Sequence, residues 1–286
     1  KQKKKIKLKK YNAITEKHLK DIACCLHGLR LLSLEDLPNA SAEGIAHLLK
    51  ANGELEGLII DSMTNFTPSE WEDIADSTRA LKVLVLKEGA LAPASAVLRF
   101  AQRNPALEVL YVGAECGIDN RSAEHLARHL PSLHTLSVRL GKPYLTGSGL
   151  QKIVYGAERL RHLSVSVSRP SEGVFGKQRR CRVLQASSRL QSLHLYNVQD
   201  FEIGELSTWV YCQPRLQHMS LLACGSWWDL DEQGRHSGRA GAVPNLGGHG
   251  VCYLPQYNGP YFEEVLLDAL SGCLGRCRTL ERLLPS

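Results

Sequence analysis

The apolar positions of the chain follow a recurring pattern, written L-x-x-L-x-L, and a second set of apolar residues at intervals of three and four follows each copy. Side chains alternate along a strand and repeat every 3.6 residues along a helix, so each unit predicts a short strand, a turn and a helix. Successive copies are 26 residues apart, except for two steps of 27 and 30 residues. The eight copies begin at Leu29, Leu55, Leu81, Leu107, Leu133, Leu160, Leu190 and Leu216.

Capping signals support the predicted helices. Thr67-Pro-Ser-Glu70 is a capping box with proline at the first helical position, and Asp119 is a candidate N-cap. Segment 14–26 predicts a leading helix with Thr15 as its N-cap and Gly28 as its stop. The residues predicted to face inward from the helices of the first five units are Ile45, Leu48, Leu49, Trp71, Ile74, Ala75, Val97, Leu98, Ala101, Leu126, Ala127, Leu130, Leu150, Ile153 and Val154.

A fixed period in the twenties built on this pattern resembles the leucine-rich repeat family. The resemblance implies an α/β solenoid, or horseshoe, with a parallel β-sheet on its concave face and helices on its convex face. The 26-residue period is similar to that of the ribonuclease-inhibitor-like, cysteine-containing class found in F-box substrate receptors. That class usually has Asn or Cys eight residues after each first leucine, and here only Cys224 fits. The resemblance implies protein recognition, in its finer form as the substrate receptor of an F-box-type ubiquitin ligase.

The repeats divide the chain into four predicted parts. Residues 1–28 form a basic segment and a capping helix, and residues 29–224 carry the repeats. Residues 225–260 are rich in glycine and lack the repeat pattern, so they are either disordered or a functional loop. Residues 261–286 predict a C-terminal helix with a degenerate repeat or cap.

Two residues in each strand are predicted to lie on the open face of the sheet. The second and third leucines point into the core, so the residues on either side of the second leucine point away from it. The first half of this face is apolar, which indicates a protein partner. Alternatively, a tail or the long loop covers it, or a shift of register hides it. The apolar positions are Leu31, Ile59, Val83, Val85, Val109 and Tyr111, and the polar ones are Thr135, Ser137, His162, Ser164, Ser192, His194, His218 and Ser220.

The histidines and serines of the second half raise the question of catalysis. A nucleophile and its base need an orienting acid and an oxyanion pocket. Neither row contains an acid, and flat strand positions offer no pocket, so we predict that the protein is not an enzyme. His236, His249 and Cys252 could meet at a metal, but a glycine-rich loop with two histidines is more often only a loop. We expect no metal and no cofactor.

Composition narrows the class of protein. The chain is 43% hydrophobic but only 6% aromatic, which predicts an aliphatic core. No apolar run reaches the roughly 18 residues of a membrane span, and no signal peptide is evident. Nine scattered cysteines without a C-x-x-C motif indicate reduced, mostly buried thiols. We therefore expect a monomeric intracellular protein, cytoplasmic or nuclear, that does not enter a membrane.

The net charge of +6 comes from the first ten residues, which hold seven lysines and no acid. The remaining repeat body is close to neutral, which argues against a nucleic-acid-binding solenoid. The segment is either a solvated tail or a short edge strand, with Ile6 and Leu8 alternating with lysines that discourage edge pairing. A sharper interpretation is a localisation signal or a contact with RNA or an anionic surface, as in a structural subunit of a large ribonucleoprotein or organellar assembly. The lysines concerned are Lys3, Lys4, Lys5, Lys7, Lys9 and Lys10.

Overall fold

Strands and helices alternate along the computed structural model, which describes residues 4–63, 66–87, 89–113, 116–140, 147–167, 189–196, 215 and 218–222. The predicted helices of the sixth and seventh units, segments 225–260 and 261–286, and Lys3 lie outside these residues. The strands are β1 (Lys4–Lys9), β2 (Leu29–Glu35), β3 (Gly57–Asp61), β4 (Val83–Leu86), β5 (Val109–Val112), β6 (Thr135–Leu140), β7 (His162–Val167), β8 (Ser192–Tyr196) and β9 (His218–Leu222). The helices are α1 (Glu16–Cys25), α2 (Ala42–Ala51), α3 (Pro68–Asp76), α4 (Ala94–Arg103), α5 (Asn120–His129) and α6 (Gly147–Gly156).

The nine strands form one parallel sheet in the order of the sequence. Each described helix packs against the next one along the chain. Helices need about 8–10 Å of lateral spacing, whereas strands need about 4.8 Å. A stack of such units therefore curves toward its strands, and we call the sheet face that points away from the helices the concave face. The fold is a leucine-rich-repeat solenoid, as the sequence period predicted.

The core lies between the sheet and the helices. It takes the second and third apolar residues of each strand, such as Leu84 and Leu86, together with the apolar stripe of each helix. Trp71 is fully buried and meets the ring of Phe66 edge-on, with the centroids 5.6 Å apart. Leu98 packs against the core as predicted but is only half-buried, whereas Phe100, which the prediction omitted, is fully buried. Helical periodicity explains the burial of Phe100, because position 100 follows Val97 by three residues and shares its face.

Predicted caps are confirmed at two helices. Thr67 accepts a hydrogen bond from the Glu70 amide at 3.3 Å, and its own amide donates to the Glu70 carboxylate at 2.7 Å. The Thr67 amide, together with the Thr67 hydroxyl that donates to the same carboxylate at 2.7 Å, holds the pKa of Glu70 below its usual range. The carboxylate of Asp119 accepts from the Ser122 amide at 2.7 Å. Both caps satisfy amides that the first helical turn leaves without a partner.

Buried asparagines at the ends of two alternate helices tie neighbouring units together. Asn52 accepts from the Leu29 amide at 2.9 Å and donates to the carbonyls of Leu26 and Leu48 at 3.1 and 3.0 Å. Asn104 lies 52 residues later, at the equivalent place after α4. The family pattern places asparagine or cysteine eight residues after the first leucine. That position holds the buried apolar residues Leu37 and Met63 instead, and the polar bridge has moved to the helix end.

The segment of β1 is a further unit of the solenoid and not a free tail. Ile6 and Leu8 pair in register with Leu32 and Leu34 of β2 and pack against the core. Its closing residue, Lys10, has the left-handed backbone found 26 and 52 residues later at Asp36 and Ser62, with φ angles of 55, 52 and 51°. Of the two structural interpretations, the edge strand is therefore the one that the structure shows.

Helices α5 and α6 approach each other at Gly156, which predicts the effect of a methyl group there. A Cβ at position 156 would lie 2.5 Å from the Ala127 Cβ and 3.2 Å from the Ala127 Cα and carbonyl oxygen. We expect Gly156→Ala to lower the free energy of unfolding by about 2 kcal/mol, although alanine is the better helix former. Chemical denaturation measures the change. Ala127→Gly in the same chain should restore part of the loss, and a neutral or stabilising Gly156→Ala would contradict the close approach.

Three cysteines lie in the part of the chain that the structure describes. Cys116 is buried in the core, as predicted, but Cys24 and Cys25 are exposed at the end of α1. The prediction of mostly buried thiols is therefore wrong for this pair, because the last turn of α1 turns both residues away from its buried stripe of Leu19 and Ala23. The described helices include none with the length and apolar character to span a membrane.

Candidate functional site

The two predicted rows on the concave face are present, in the predicted register. The first row passes from β2 to β9 through successive parallel pairs, and the second row runs beside it. The first row is Leu31, Gly57, Val83, Val109, Thr135, His162, Ser192 and His218, and the second is Ser33, Ile59, Val85, Tyr111, Ser137, Ser164, His194 and Ser220.

The prediction that the apolar half of these rows is exposed to water is wrong at four of its six positions. Val83 and Val85 have 0% of their surface exposed, and Leu31 and Val109 have 1%. They do not belong to the core cluster on the helix side of the sheet. Four polar members of the rows are buried as well, so the burial of a row member does not depend on its being apolar. These four are Ser33, Thr135, Ser137 and Ser192.

Side-chain size and lateral packing explain this burial. Each side chain has a neighbour in register on both adjacent strands, about 4.8 Å away, and curvature toward this face brings the side chains closer. Most of the small and medium side chains are thus enclosed and form a buried floor, with Ile59 and Ser164 as the exceptions. The sequence pattern gave their direction but not their depth. Among the row members on β2 to β8, those that remain half-exposed above this floor are Ile59, Tyr111, His162, Ser164 and His194, and the side chains of His218 and Ser220 lie outside the described part of the chain.

These five half-exposed residues, which we call the projecting residues, differ along the sheet. Ile59 and Tyr111 lie in the first half. Desolvation raises the pKa of Tyr111 to about 12, and the Asp61 charge adds a smaller effect in the same direction. Tyr111 therefore stays neutral at physiological pH and can donate a hydrogen bond. In the second half, Nδ1 of His162 lies 2.7 Å from Oγ of Ser192. That contact fixes the orientation of the imidazole above the floor.

A row of mixed charge, the opening row, runs along the start of the strands. Glu56 lies between Arg30 and Lys82, with N–O distances of 3.3 and 3.7 Å. The row continues with Glu108, His134 and Arg161, each of whose amides donates to the main-chain carbonyl of the preceding member. Alternating charges attract along the row and leave it nearly neutral. Ion pairs at the surface are worth about 0–1 kcal/mol each, and these are half-exposed, so we assign the opening row to register and specificity more than to stability.

A second charged row, the closing row, runs along the far ends of the strands. Glu35 accepts Lys9 at 2.6 Å and Lys7 at 3.4 Å. Although burial would raise the pKa of Glu35, its hydrogen bonds and charge contacts with Lys9 and Lys7 hold that pKa below the usual range. Asp61 pairs with Lys87 at 3.8 Å. The floor thus lies between two rows of both signs.

The pKa of His134 predicts a pH dependence of stability. Burial, with the charges of Arg161 and Arg159, lowers this pKa, and Glu108 offsets part of the effect. Because the folded pKa lies below the unfolded value of about 6.5, the unfolded chain binds more protons between the two values. The contribution of His134 to stability is therefore present above that unfolded value and is lost as the pH falls through the folded pKa.

The measurement is the free energy of unfolding at several pH values for the native protein and for His134→Gln. The other ten histidines are common to both proteins, so the difference between the two curves isolates His134. We expect the native protein to lose more stability on acidification than the variant. Parallel curves would show that His134 does not contribute.

Of the predicted basic residues, Lys5, Lys7 and Lys9 lie on β1 opposite Leu31, Ser33 and Glu35, so they continue the concave face at its first strand. Lys4 begins β1, and Lys10 follows its end. Within the described ranges, no group of three or more His, Cys, Asp or Glu side chains has the arrangement of a metal site. His236, His249 and Cys252 lie outside those ranges.

Comparisons with known proteins give structural likeness only. No family model and no curated protein matches the sequence. The leucine-rich repeat-containing protein LegL7 from Legionella pneumophila is similar, with 11% identity and a TM-score of 0.43, over 77% of this chain and 81% of that one. TLR13 in its complex with ssRNA13 has 16% identity and a TM-score of 0.34, over 76% of this chain and 35% of that one.

A chain of the octameric complex of Latrophilin 3, Unc5D and FLRT2 (LRR) has 18% identity and a TM-score of 0.33, over 73% of both chains. Each TM-score is below 0.5. The fold therefore rests on the repeat period, the sheet order and the register described above, which together are those of a leucine-rich-repeat solenoid.

Proposed function

We propose that this chain is a non-enzymatic protein-interaction module that binds its partner through the concave face. The observation that supports this function is the in-register lattice of projecting residues above a buried floor. The floor fixes the spacing of the side chains above it. A partner therefore meets a pre-organised surface, which lowers the entropic cost of binding.

The chemistry of the surface favours a protein as partner. Ile59 and Tyr111 offer apolar and aromatic contact, His162, Ser164 and His194 offer polar contact, and both flanking rows carry charges of either sign. Interfaces between proteins combine an apolar centre with a polar rim in this way. A nucleic acid would require a surface of predominantly positive charge.

The finer proposal is that the module is the substrate receptor of an F-box-type ubiquitin ligase, which the 26-residue period supports. The alternative function, a structural subunit of a ribonucleoprotein or organellar assembly, rests on the N-terminal lysines. Lys9 and Lys7 pair with Glu35, which reduces the charge that they offer to RNA. Deleting these residues would remove a strand of the sheet. RNA binding by the variants Lys5→Gln and Lys9→Gln is therefore a cleaner test of the alternative.

Affinity capture of the tagged protein, followed by mass spectrometry, tests the proposed function. Ile59→Glu/Ser164→Glu adds one carboxylate to each half of the concave face, and Gln102→Glu adds a single carboxylate to the exposed side of α4, as a match for Ser164→Glu alone. We expect a defined protein partner with the native chain and with Gln102→Glu, and at least about tenfold less of it with the double variant, a change of about 1.4 kcal/mol. Circular dichroism confirms folding, and Ser164→Glu alone serves if the double variant unfolds.

Equal capture by all variants would contradict recognition through the concave face. A captured F-box-type adaptor would support the finer proposal, and its absence among otherwise specific partners would contradict that proposal alone.

A further inference from the structure

We propose that the outer edge of β1 binds an acidic, extended segment of a protein partner, which adds to the sheet as a further strand. This site is separate from the projecting residues and does not depend on the function proposed for them. It follows from the position of β1, from the direction of its main-chain groups and from the alternation of its side chains.

β1 is the terminal strand of the described sheet. The amide of Lys10 donates to the Glu35 carbonyl of β2 at 2.9 Å, so the main-chain groups of Lys10 point toward β2. Successive residues of a strand direct their N–H and C=O groups to opposite edges. The main-chain groups of Lys5, Lys7 and Lys9 therefore point toward the outer edge, where an extended chain can form a ladder with them.

The side chains of β1 specify the composition of that chain. Ile6 and Leu8 pack on the helix side of the sheet but are only half-buried, in contrast to their partners Leu32 and Leu34, which have 1% and 0% of their surface exposed. An added strand with apolar side chains on this side would complete their burial. The lysines that alternate with these apolar residues lie on the concave side of the sheet. The added strand would therefore carry acidic side chains on its concave side.

Charge supports an acidic occupant. Glu35 of β2 contacts Lys7 and Lys9 and shows how a carboxylate fits between them. The ammonium nitrogen of Lys5 is shielded from water, and none of the described residues gives it a hydrogen-bond partner. A carboxylate from an added strand would supply such a partner beside Leu31, with which Lys5 pairs in register.

The same charge disfavours two other occupants. A second copy paired through β1 would bring two lysine rows together, which is a repulsive contact. Single-stranded RNA binds through phosphate contacts and through bases stacked on aromatic rings, and β1 contains no aromatic residue. Neither occupant explains the alternation of Ile6 and Leu8 with the lysines.

The test uses the full chain and a fluorescein-labelled peptide of about eight residues that alternates glutamate and valine, the pattern that strand addition requires. Two N-methylated versions carry methyl groups either on the glutamate amides or on the valine amides. These two sets of amides face opposite edges of an extended peptide. We expect saturable binding by fluorescence anisotropy, retained by one methylated version and lost by the other, since only one edge of the peptide can face β1.

A matched pair of protein variants tests the same edge. Lys7→Ala removes one charge, whereas Lys7→Pro also removes an amide that points outward and leaves the bonds to β2 intact. We expect Lys7→Ala to weaken binding about twofold to threefold, and Lys7→Pro at least about tenfold. Circular dichroism checks the fold of both, and the methylated peptides decide the question if Lys7→Pro unfolds.

Three results would overturn the proposal: equal binding of both methylated peptides, equal binding of the peptide by Lys7→Pro and Lys7→Ala, or equally tight competition by oligouridine of the same charge. Any of them would show that β1 attracts anions by charge alone. Self-association of the native protein that Lys7→Pro abolishes would assign the edge to a second copy instead.

Discussion

Replacing Val85 with glutamate is expected to lower the free energy of unfolding by about 4 kcal/mol, because it places a carboxylate at a fully buried position. Val85 has none of its surface exposed and lies in register between Ile59 and Tyr111, neither of which offers a positive charge. The carboxylate must either ionise without a cation or remain protonated at neutral pH. The shift of the urea midpoint, at an unchanged slope, measures the loss.

Two control variants separate burial from other effects at this site. Val85→Thr keeps the shape and adds only a hydroxyl group, so we expect a loss of about 1–2 kcal/mol. Ser164→Glu introduces the same carboxylate in the same row at a half-exposed position, where we expect about 1 kcal/mol or less. If Val85→Glu proved as stable as Ser164→Glu, position 85 would be open to water and the buried floor would be wrong.

Removing the side chain of Asn104 is the second large effect. Its Oδ1 accepts from the Leu81 amide at 2.9 Å, and its Nδ2 donates to Thr78 Oγ1 at 2.8 Å and to the Phe100 carbonyl at 2.9 Å. Asn104→Ala leaves these buried groups without that partner. Each buried group left unsatisfied costs about 1–3 kcal/mol, and relaxation of the surrounding structure reduces the sum. We therefore expect the free energy of unfolding to fall by about 3 kcal/mol.

The control for Asn104→Ala is Gln102→Ala, an exposed position of the same helix, where we expect a change within about 0.5 kcal/mol. Amide hydrogen exchange adds a local measurement, because the Leu81 amide should exchange faster in Asn104→Ala than in Gln102→Ala. A fully stable Asn104→Ala with an unchanged Leu81 amide would contradict the bridging role. Asn52→Ala should behave like Asn104→Ala, since Asn52 also makes three hydrogen bonds, with the Leu26 carbonyl in the place of the Thr78 hydroxyl.

The repeat made the register and the caps predictable. Apolar residues at a period of 26 place Val83, Val109 and Thr135 in one row whatever their chemistry, and a capping box such as 67–70 is a local signal. The depth of Val85 was not predictable in the same way, because it depends on neighbours from other strands and on the curvature of the stack.

Other differences have equally local causes. The bridging asparagines escaped notice because the family pattern places such residues after the strand, whereas Asn52 and Asn104 follow the helix. A signal was available in the sequence, since each lies three residues before the first leucine of a unit. At β1 the alternation of lysine with Ile6 and Leu8 indicated a strand, but the dense charge equally indicated a solvated tail.

The measurement that tests the concave recognition surface most directly is site-specific photo-crosslinking in cells. A benzophenone amino acid replaces Ser164 on the concave face or Gln102 on the convex face, one position at a time. We expect a crosslinked product of defined mass, with one partner protein, from position 164 and none from position 102. The same product from both positions, or a product from position 102 alone, would contradict it.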